Sequence, residues 1–409
     1  MIMRLSEDNK IHIFHHNDMD GRISAAVMYE YLSRYETEYF GISLCEVDYS
    51  VKLDFCNIPA GDLIVFVDYS FTGKHNTYAF LDLINDNKHK IIWIDHHISS
   101  FKLQYNIIRK YREENSIPNN KPKYCYKNNC SLSVLEYSDS RLDIYLDTQY
   151  SAAYLAYMYC FNKVNNENEY VSDLLHGPNI DFNYDHGIDI PLTIKYVDSY
   201  DTWKMNIPCT IEFKYGSKEF EGWNIPTIFK HFCKDPYIMF DKEHTDFNDG
   251  ELGIINTMLD IGRIIKDYVD IDNDRNKNSS MFEFSIIDDT IEGNGKLYRC
   301  AAINRSGNSL IFGEDFEYYD ICCPFYYTSK GLWKYSFFSC HEYDSFFNNS
   351  KNCADLASIL GSMNKIGAGG GGHACAAGFH MKNNILKSEC IIKLSTPRFK
   401  KDKIKVEIV

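Results

Sequence analysis

Two short stretches carry most of the groups that could do chemistry. His15-His16-Asn17-Asp18-Met19-Asp20-Gly21 follows one apolar run, and Asp95-His96-His97 follows another, Ile91–Ile94. Carboxylate oxygens and imidazole nitrogens are good ligands for divalent cations. Alternate residues of an extended segment point the same way, so His16, Asp18 and Asp20 can converge on one point. His15 competes for the first of these places, but His16 shares the parity of the two acids. Carboxylates that close repel unless protons or a cation intervene. Asp68 ends a third apolar run, Leu63–Val67. Asp198 and Asp201 stand three residues apart, so a helix would place both on one face or at its end. Each acid alone also suits a helix cap or a solvated turn. What favours a metal site is repetition, because an apolar strand leads into acid three times, at Asp18/Asp20, Asp68 and Asp95.

The elements that must position these groups alternate. Strand-like runs at Ile11–Phe14, Glu46–Asp48, Asp62–Val67 and Ile91–Ile94 are interleaved with helical spacing at Ile23–Leu32 and Tyr78–Ile84. Short runs that are apolar throughout read as strands buried on both faces. The alternation implies an α/β fold with a doubly wound, mainly parallel sheet, whose chemistry sits at the carboxyl ends of the strands. Gly21 is expected to let the chain turn sharply into the first helix. Ser100–Leu146 reads as loop with a short strand pair. Helical spacing returns at Ser151–Tyr159, Pro191–Val197 and Leu252–Val269, and the polar run Asp270–Ser280 reads as a linker.

Beyond the linker the pattern becomes α+β. Strands are expected over Met281–Ile287, Lys296–Ile303, Tyr319–Tyr327 and Trp333–Cys340, and a helix over Asp355–Met363. The run Gly367–Gly372, broken only by Ala368, leads into His373 and then Ala374-Cys375-Ala376-Ala377, which reads as a helix start. Glycine backbone amides can form a nest for a phosphate, and His373 could donate to one.

Composition sets bounds. The length, 409 residues, suggests two or three domains. The reading here divides it at 1–205, 206–280 and 281–409, the middle part a helical connector and linker. No run approaches the ~20 apolar residues of a spanning helix, and residues 1–8 lack a signal-peptide core, so a cytoplasmic location with no membrane partner is expected. The 14 cysteines include no C-x-x-C pair, which argues against a zinc ribbon. The formal net charge of −14 is the reverse of a long nucleic-acid groove. A phosphate-bearing substrate would therefore need metal ions for charge compensation and would be short, with no long duplex as partner.

His16-Asn17-Asp18-Met19-Asp20-Gly21, Asp68 closing a strand, Asp95-His96-His97, Asp201-Thr202 and Gly370-Gly371-Gly372-His373 occur in that order. This ordered set resembles the DHH phosphoesterase superfamily with a C-terminal DHHA1-type domain, and most of all its oligoribonuclease and cyclic-nucleotide phosphodiesterase branch. The resemblance implies a DHH catalytic domain over 1–205, a substrate-binding DHHA1 domain over 281–409 and an active site in the cleft between them. It implies two Mn²⁺ ions, with Mg²⁺ or Co²⁺ as substitutes. His16 and Asp18 would hold one ion, Asp20, His96 and Asp201 (or Asp198) the other, and Asp68 would bridge them. His97 would orient substrate or water, supported by Asp95. His373 and Gly370–Gly372 would grip a phosphate, with Arg305 in place of an arginine that the strand at Lys334 lacks. The implied activity is hydrolysis of short oligonucleotides, such as dinucleotides, or of cyclic nucleotides. Rival readings are a RecJ-like single-strand exonuclease, a pyrophosphatase or polyphosphatase, and an inactive nucleotide sensor. A homodimer is left open.

Overall fold

The computed structural model describes residues 9–49, 51–71, 74–86, 88–97, 100, 123–127, 131–138, 141–165, 190–218, 248–290, 295–339, 353–362, 371–372, 375–395 and 405–408. The chain divides into two compact units, Met1–Lys266 and Asp267–Val409.

The first unit begins with β1 (Lys10–His16), α1 (Met19–Tyr35), β2 (Gly41–Val47), β3 (Leu63–Val67), α2 (Lys74–Asp86) and β4 (Lys90–Asp95). It continues with β5 (Lys123–Lys127), β6 (Ser131–Ser138), β7 (Leu142–Asp147), α3 (Ala152–Asn165), α4 (Leu192–Asp201), α5 (Thr210–Ser217) and α6 (Asn248–Ser280). The sheet order is β2-β1-β3-β4-β7-β6-β5. The first five strands in that order run parallel, and β6 and β5 extend the sheet antiparallel. The apolar strands are buried on both faces. Leu63, Val65, Val67, Ile92 and Ile94 meet residues of α1, α3 and α4 in one core. Ile64, Phe66, Ile91 and Trp93 meet Phe80, Leu83 and Ile84 of α2 in another. A doubly wound sheet is therefore present, as the continuous runs require.

Two sequence expectations are corrected up to the end of α6. The segment read as loop with a strand pair also contains β7, which joins the parallel sheet beside β4. Its apolar signature is broken by Asp143, which is buried and accepts a hydrogen bond from the Tyr159 hydroxyl at 2.8 Å. The polar run 270–280, read as an irregular linker, is helical, because α6 is continuous through Ser280. Lys277 pairs with Asp315 at 2.9 Å, and Asp272 pairs with Arg305.

The second unit holds β8 (Met281–Asp289), β9 (Lys296–Ile303), β10 (Ile321–Tyr327), β11 (Trp333–Phe338), α7 (Cys353–Ser362), β12 (Gly371–Gly372), β13 (Ala376–Met381), β14 (Ile391–Ser395) and β15 (Lys405–Ile408). They form a mixed sheet in the order β12-β13-β11-β10-β9-β8-β14-β15. The apolar side of α7 (Cys353, Leu356, Ala357, Leu360) packs on it with Phe337, Phe379 and Ile392. Ala376 and Ala377, read from sequence as a helix start, lie in β13. Gly371 and Gly372 pair with Gly378 and Ala377 as an edge strand. Gly370 and His373 lie outside the described residues.

Candidate metal centre

The strand order places a switch point between β1 and β3. From β1 the chain passes to β2 on one side, then returns past β1 to β3 on the other. Crossovers leaving in opposite directions open a crevice at the carboxyl ends of the two strands, where α/β sheets bind ligands. His16 ends β1, Asp68 follows β3, and His96 and His97 follow β4. Asp18 and Asp20 start α1, and Asp201 ends α4.

Local structure fixes each group. Asp18 is the N-cap of α1, its Oδ1 accepting from the Gly21 amide at 2.9 Å. The bland reading of Asp18 is therefore also true, and its other oxygen lies 2.8 Å from His16 Nδ1. Gly21 is required by close approach and not, as its sequence context suggested, by a sharp turn. It lies within the helix, and a Cβ there would sit 2.3 Å from the His16 carbonyl oxygen. The Asp20 carboxylate accepts from the amides of Ala152 and Ala153, each at 2.8 Å, which docks the start of α3 against α1. Asp68 takes a left-handed backbone, φ 53°, which is strained for a non-glycine residue. The next residues hold it there. Tyr69 and Phe71 are buried, and the Trp93 indole donates to the Tyr69 carbonyl at 3.0 Å.

Three groups of ligand atoms converge among the described residues: His16/Asp18/Asp68, Asp20/His96/Asp201 and Asp68/Asp95/His96/His97, with all atoms of a group within 4.8 Å of one another. Asp68 joins them. Its Oδ2 lies 3.7 Å from His16 Nδ1, and its Oδ1 lies 3.3 Å from His96 Nε2. His96 Nε2 is also 3.2 Å from Asp201 Oδ2 and 3.6 Å from Asp20 Oδ2. Both Asp68 oxygens are buried without a hydrogen-bond partner among the described residues. An unsatisfied buried carboxylate costs several kcal/mol unless a cation or proton meets it.

The electrostatics point the same way. Burial, then Asp18 and Asp20, push the Asp68 carboxyl well above the usual carboxylate range. Burial, then Asp201, raise Asp20 to about 7. Burial disfavours charge on His16, but the hydrogen bond to Asp18 and the nearby Asp68 carboxylate outweigh it and raise its pKa to about 10. Burial likewise opposes protonation of His96, and Asp201 and Asp20 overcome it and raise its pKa. The carboxylates of Asp18, Asp20, Asp68 and Asp201 together match the charge of two divalent ions, so the donor set fits such a pair.

Asp95 is buried, and its oxygens are already engaged. Oδ1 accepts from the His96 amide at 2.8 Å and from His97 Nδ1 at 2.7 Å, and Oδ2 accepts from the Ser100 hydroxyl. It therefore supports the imidazoles and has little left for a metal. With Nδ1 donating to Asp95, His97 presents Nε2 as its acceptor nitrogen. Of the alternatives left open by sequence, His16 and Asp201 face the cluster. His15 is buried and turned to the carbonyl of His16 at 2.8 Å. Asp198 accepts from the Ser151 amide at 2.6 Å and from Lys204 Nζ at 2.8 Å. Arg305 lies in the second unit, paired with Asp272.

One neighbour of the cluster went unread in the sequence. The Tyr49 hydroxyl lies 3.3 Å from His97 Nε2, and its ring lies 4.9 Å from that of His16. Tyr49 stands just past the carboxyl end of β2, so the rule that located the acids would have pointed to it.

A parallel α/β sheet with acids and imidazoles gathered at its switch point defines the class as α/β proteins with a carboxylate–histidine centre. Residues 10–135 match the family model for the DHH family, N-terminal domain. No curated protein matches the sequence. Among solved structures, the chain is similar to an uncharacterized protein from Helicobacter pylori at 12% identity and a TM-score of 0.31, over 92% of this chain and 94% of that one. It is similar to RecJ from Thermus thermophilus in complex with Mn²⁺ at 10% identity and a TM-score of 0.43, over 91% of this chain and 49% of that one, so it spans about half that protein's length. It is similar to an exonuclease RecJ bound to manganese at 9% identity and a TM-score of 0.36, over 92% and 87% of the two chains.

Proposed function

We propose that the protein is a dinuclear-metal phosphodiesterase that cleaves short oligonucleotides or cyclic nucleotides. The carrying observation is the buried Asp68 carboxylate, its two oxygens turned to separate ligand groups and neither hydrogen-bonded among the described residues. His16 and Asp18 would hold one ion, Asp20, His96 and Asp201 the other, with Asp68 shared. When bound, such a pair supplies a water of lowered pKa and neutralises charge on the phosphoryl group. The chain's own groups do the rest. Asp95 accepts a hydrogen bond from Nδ1 of His97, which makes Nε2 the acceptor nitrogen and turns it toward the Tyr49 hydroxyl at 3.3 Å. The Ala152 and Ala153 amides fix the Asp20 carboxylate in place, so that it needs no reorganisation when a cation arrives.

The net charge of −14 supports a small substrate, because a long strand would meet repulsion beyond the reach of two cations. Manganese is favoured by oxygen-rich ligands with few imidazoles. The test is a manganese-supplemented panel of 5′-phosphorylated dinucleotides, cyclic mono- and dinucleotides, and single strands of more than twenty nucleotides. Turnover of the small substrates at least tenfold faster than the long strands is expected. Equal rates would favour the RecJ-like reading, and inertness toward all of them would end the proposal.

A further inference from the structure

Beside the acids lies a cavity of about 200 Å³ lined by Asp18, Asp20 and Asp201 on one side and by Tyr196, Tyr200, Phe213 and Lys214 on another. Its apolar wall is rigid. The Tyr196 ring stacks on Phe213 at 4.6 Å and 11°, and the Tyr196 hydroxyl is tied to the Pro208 carbonyl at 3.1 Å. Helix α5, which carries Phe213 and Lys214, is pressed against α6 with no room to slide. A Cβ on Gly216 would meet the Met258 carbonyl at 1.8 Å, and one on Gly262 would meet the Glu212 carbonyl at 1.8 Å. Lys214 Nζ sits 5.1 Å from the centre of the Tyr200 ring, and its charge acts on Asp201. It makes no ion pair among the described residues, although it lines the same cavity as Asp18, Asp20 and Asp201.

None of this is needed to hold a metal. Aromatic walls accept a planar ring by stacking, whatever its sequence identity. A lysine ammonium beside them is a compact point charge for a phosphate oxygen. The volume falls below the roughly 300 Å³ at which sites for drug-sized ligands begin, so it admits one base and not a dinucleotide. We infer that this cavity is a nucleobase subsite, seating the base of the nucleotide whose phosphate is cleaved, with Lys214 and Tyr200 at its mouth as specificity-determining residues. This rests on the phosphodiesterase reading and adds which part of the substrate is recognised.

The experiment compares Lys214→Gln and Tyr200→Ala with the wild-type chain in two assays. In the first, kcat/KM with manganese is measured for a dinucleotide and for the same dinucleotide lacking one base. Base stacking contributes about 1–3 kcal/mol, so the wild type should prefer the intact dinucleotide by about tenfold or more. In each variant that preference should fall at least fivefold, chiefly through KM. The second assay is calorimetric titration with a nucleoside monophosphate in the presence of manganese, which needs no turnover; both variants should bind at least fivefold more weakly. Undiminished preference and affinity in both variants would overturn the subsite. A wild type that binds the monophosphate, loses it in the variants and yet cleaves nothing would uphold the subsite and remove the phosphodiesterase reading.

Discussion

Asp68→Asn isolates the central argument. Asparagine keeps the shape of the side chain and tolerates the left-handed backbone at φ 53°, whereas alanine would add strain on top of the lost charge. In the metal-free protein the substitution removes a buried carboxylate that faces Asp18 and Asp20, so stability at pH 7 should rise. With metal the sign reverses. A ligand at a hundredfold its Kd stabilises the folded state by about 2.7 kcal/mol, or about 5–10 °C in Tm for a domain of this size. If losing the shared ligand weakens the site a hundredfold, the same manganese concentration yields about 0.4 kcal/mol, or about 1 °C. The assay is thermal unfolding of wild type and variant, each in chelator and in manganese. A variant less stable than wild type in chelator, or one keeping the full manganese shift, would refute the reasoning.

Other outcomes follow from the same geometry. In chelator, Tm should decline from pH 5 to pH 9, because the folded state holds protons on Asp20 and His16 more tightly than the unfolded chain. The contribution of Asp20 is complete below its unfolded value of 3.8 and is lost as pH rises toward about 7, and that of His16 is lost between 6.5 and about 10. Manganese should flatten this slope, as melts across that pH range would show. Asp198→Ala should cost about 1–3 kcal/mol by leaving the Ser151 amide and Lys204 without their acceptor; Asp201→Asn should cost little stability but abolish most manganese-dependent turnover, and urea melts with rate measurements separate the two. Gly21→Ala should destabilise by about 1–3 kcal/mol, since its methyl would press on the His16 carbonyl, and the shift in urea midpoint reads this directly. Asp95→Asn should lower turnover about 10–100-fold, with manganese affinity falling less than in Asp68→Asn, because the His97 ring keeps an amide oxygen as acceptor but loses the carboxylate charge that orients it.

The parallel strands were legible because burial on both faces demands uninterrupted apolar runs, as in Leu63–Val67 and Ile91–Ile94. Strand β7 was not, because Asp143 interrupts its run and the Tyr159 hydroxyl that satisfies it comes from a separate helix. The helical character of 270–280 was hidden because pairs such as Lys277–Asp315 join residues far apart in sequence.

By itself the sequence determined which residues could bind cations and that they lie at strand ends, since residue type and hydrophobic period are local properties. Only the tertiary structure decided that His16 and not His15 joins Asp18 and Asp68, and that Asp201 and not Asp198 joins Asp20 and His96. It also decided that Asp20 is gripped by amides 132 and 133 residues further along, and that a lysine and three rings wall a cavity beside the acids. Those choices depend on which way a side chain turns once sheet and helices have packed, and no spacing along the chain encodes that direction.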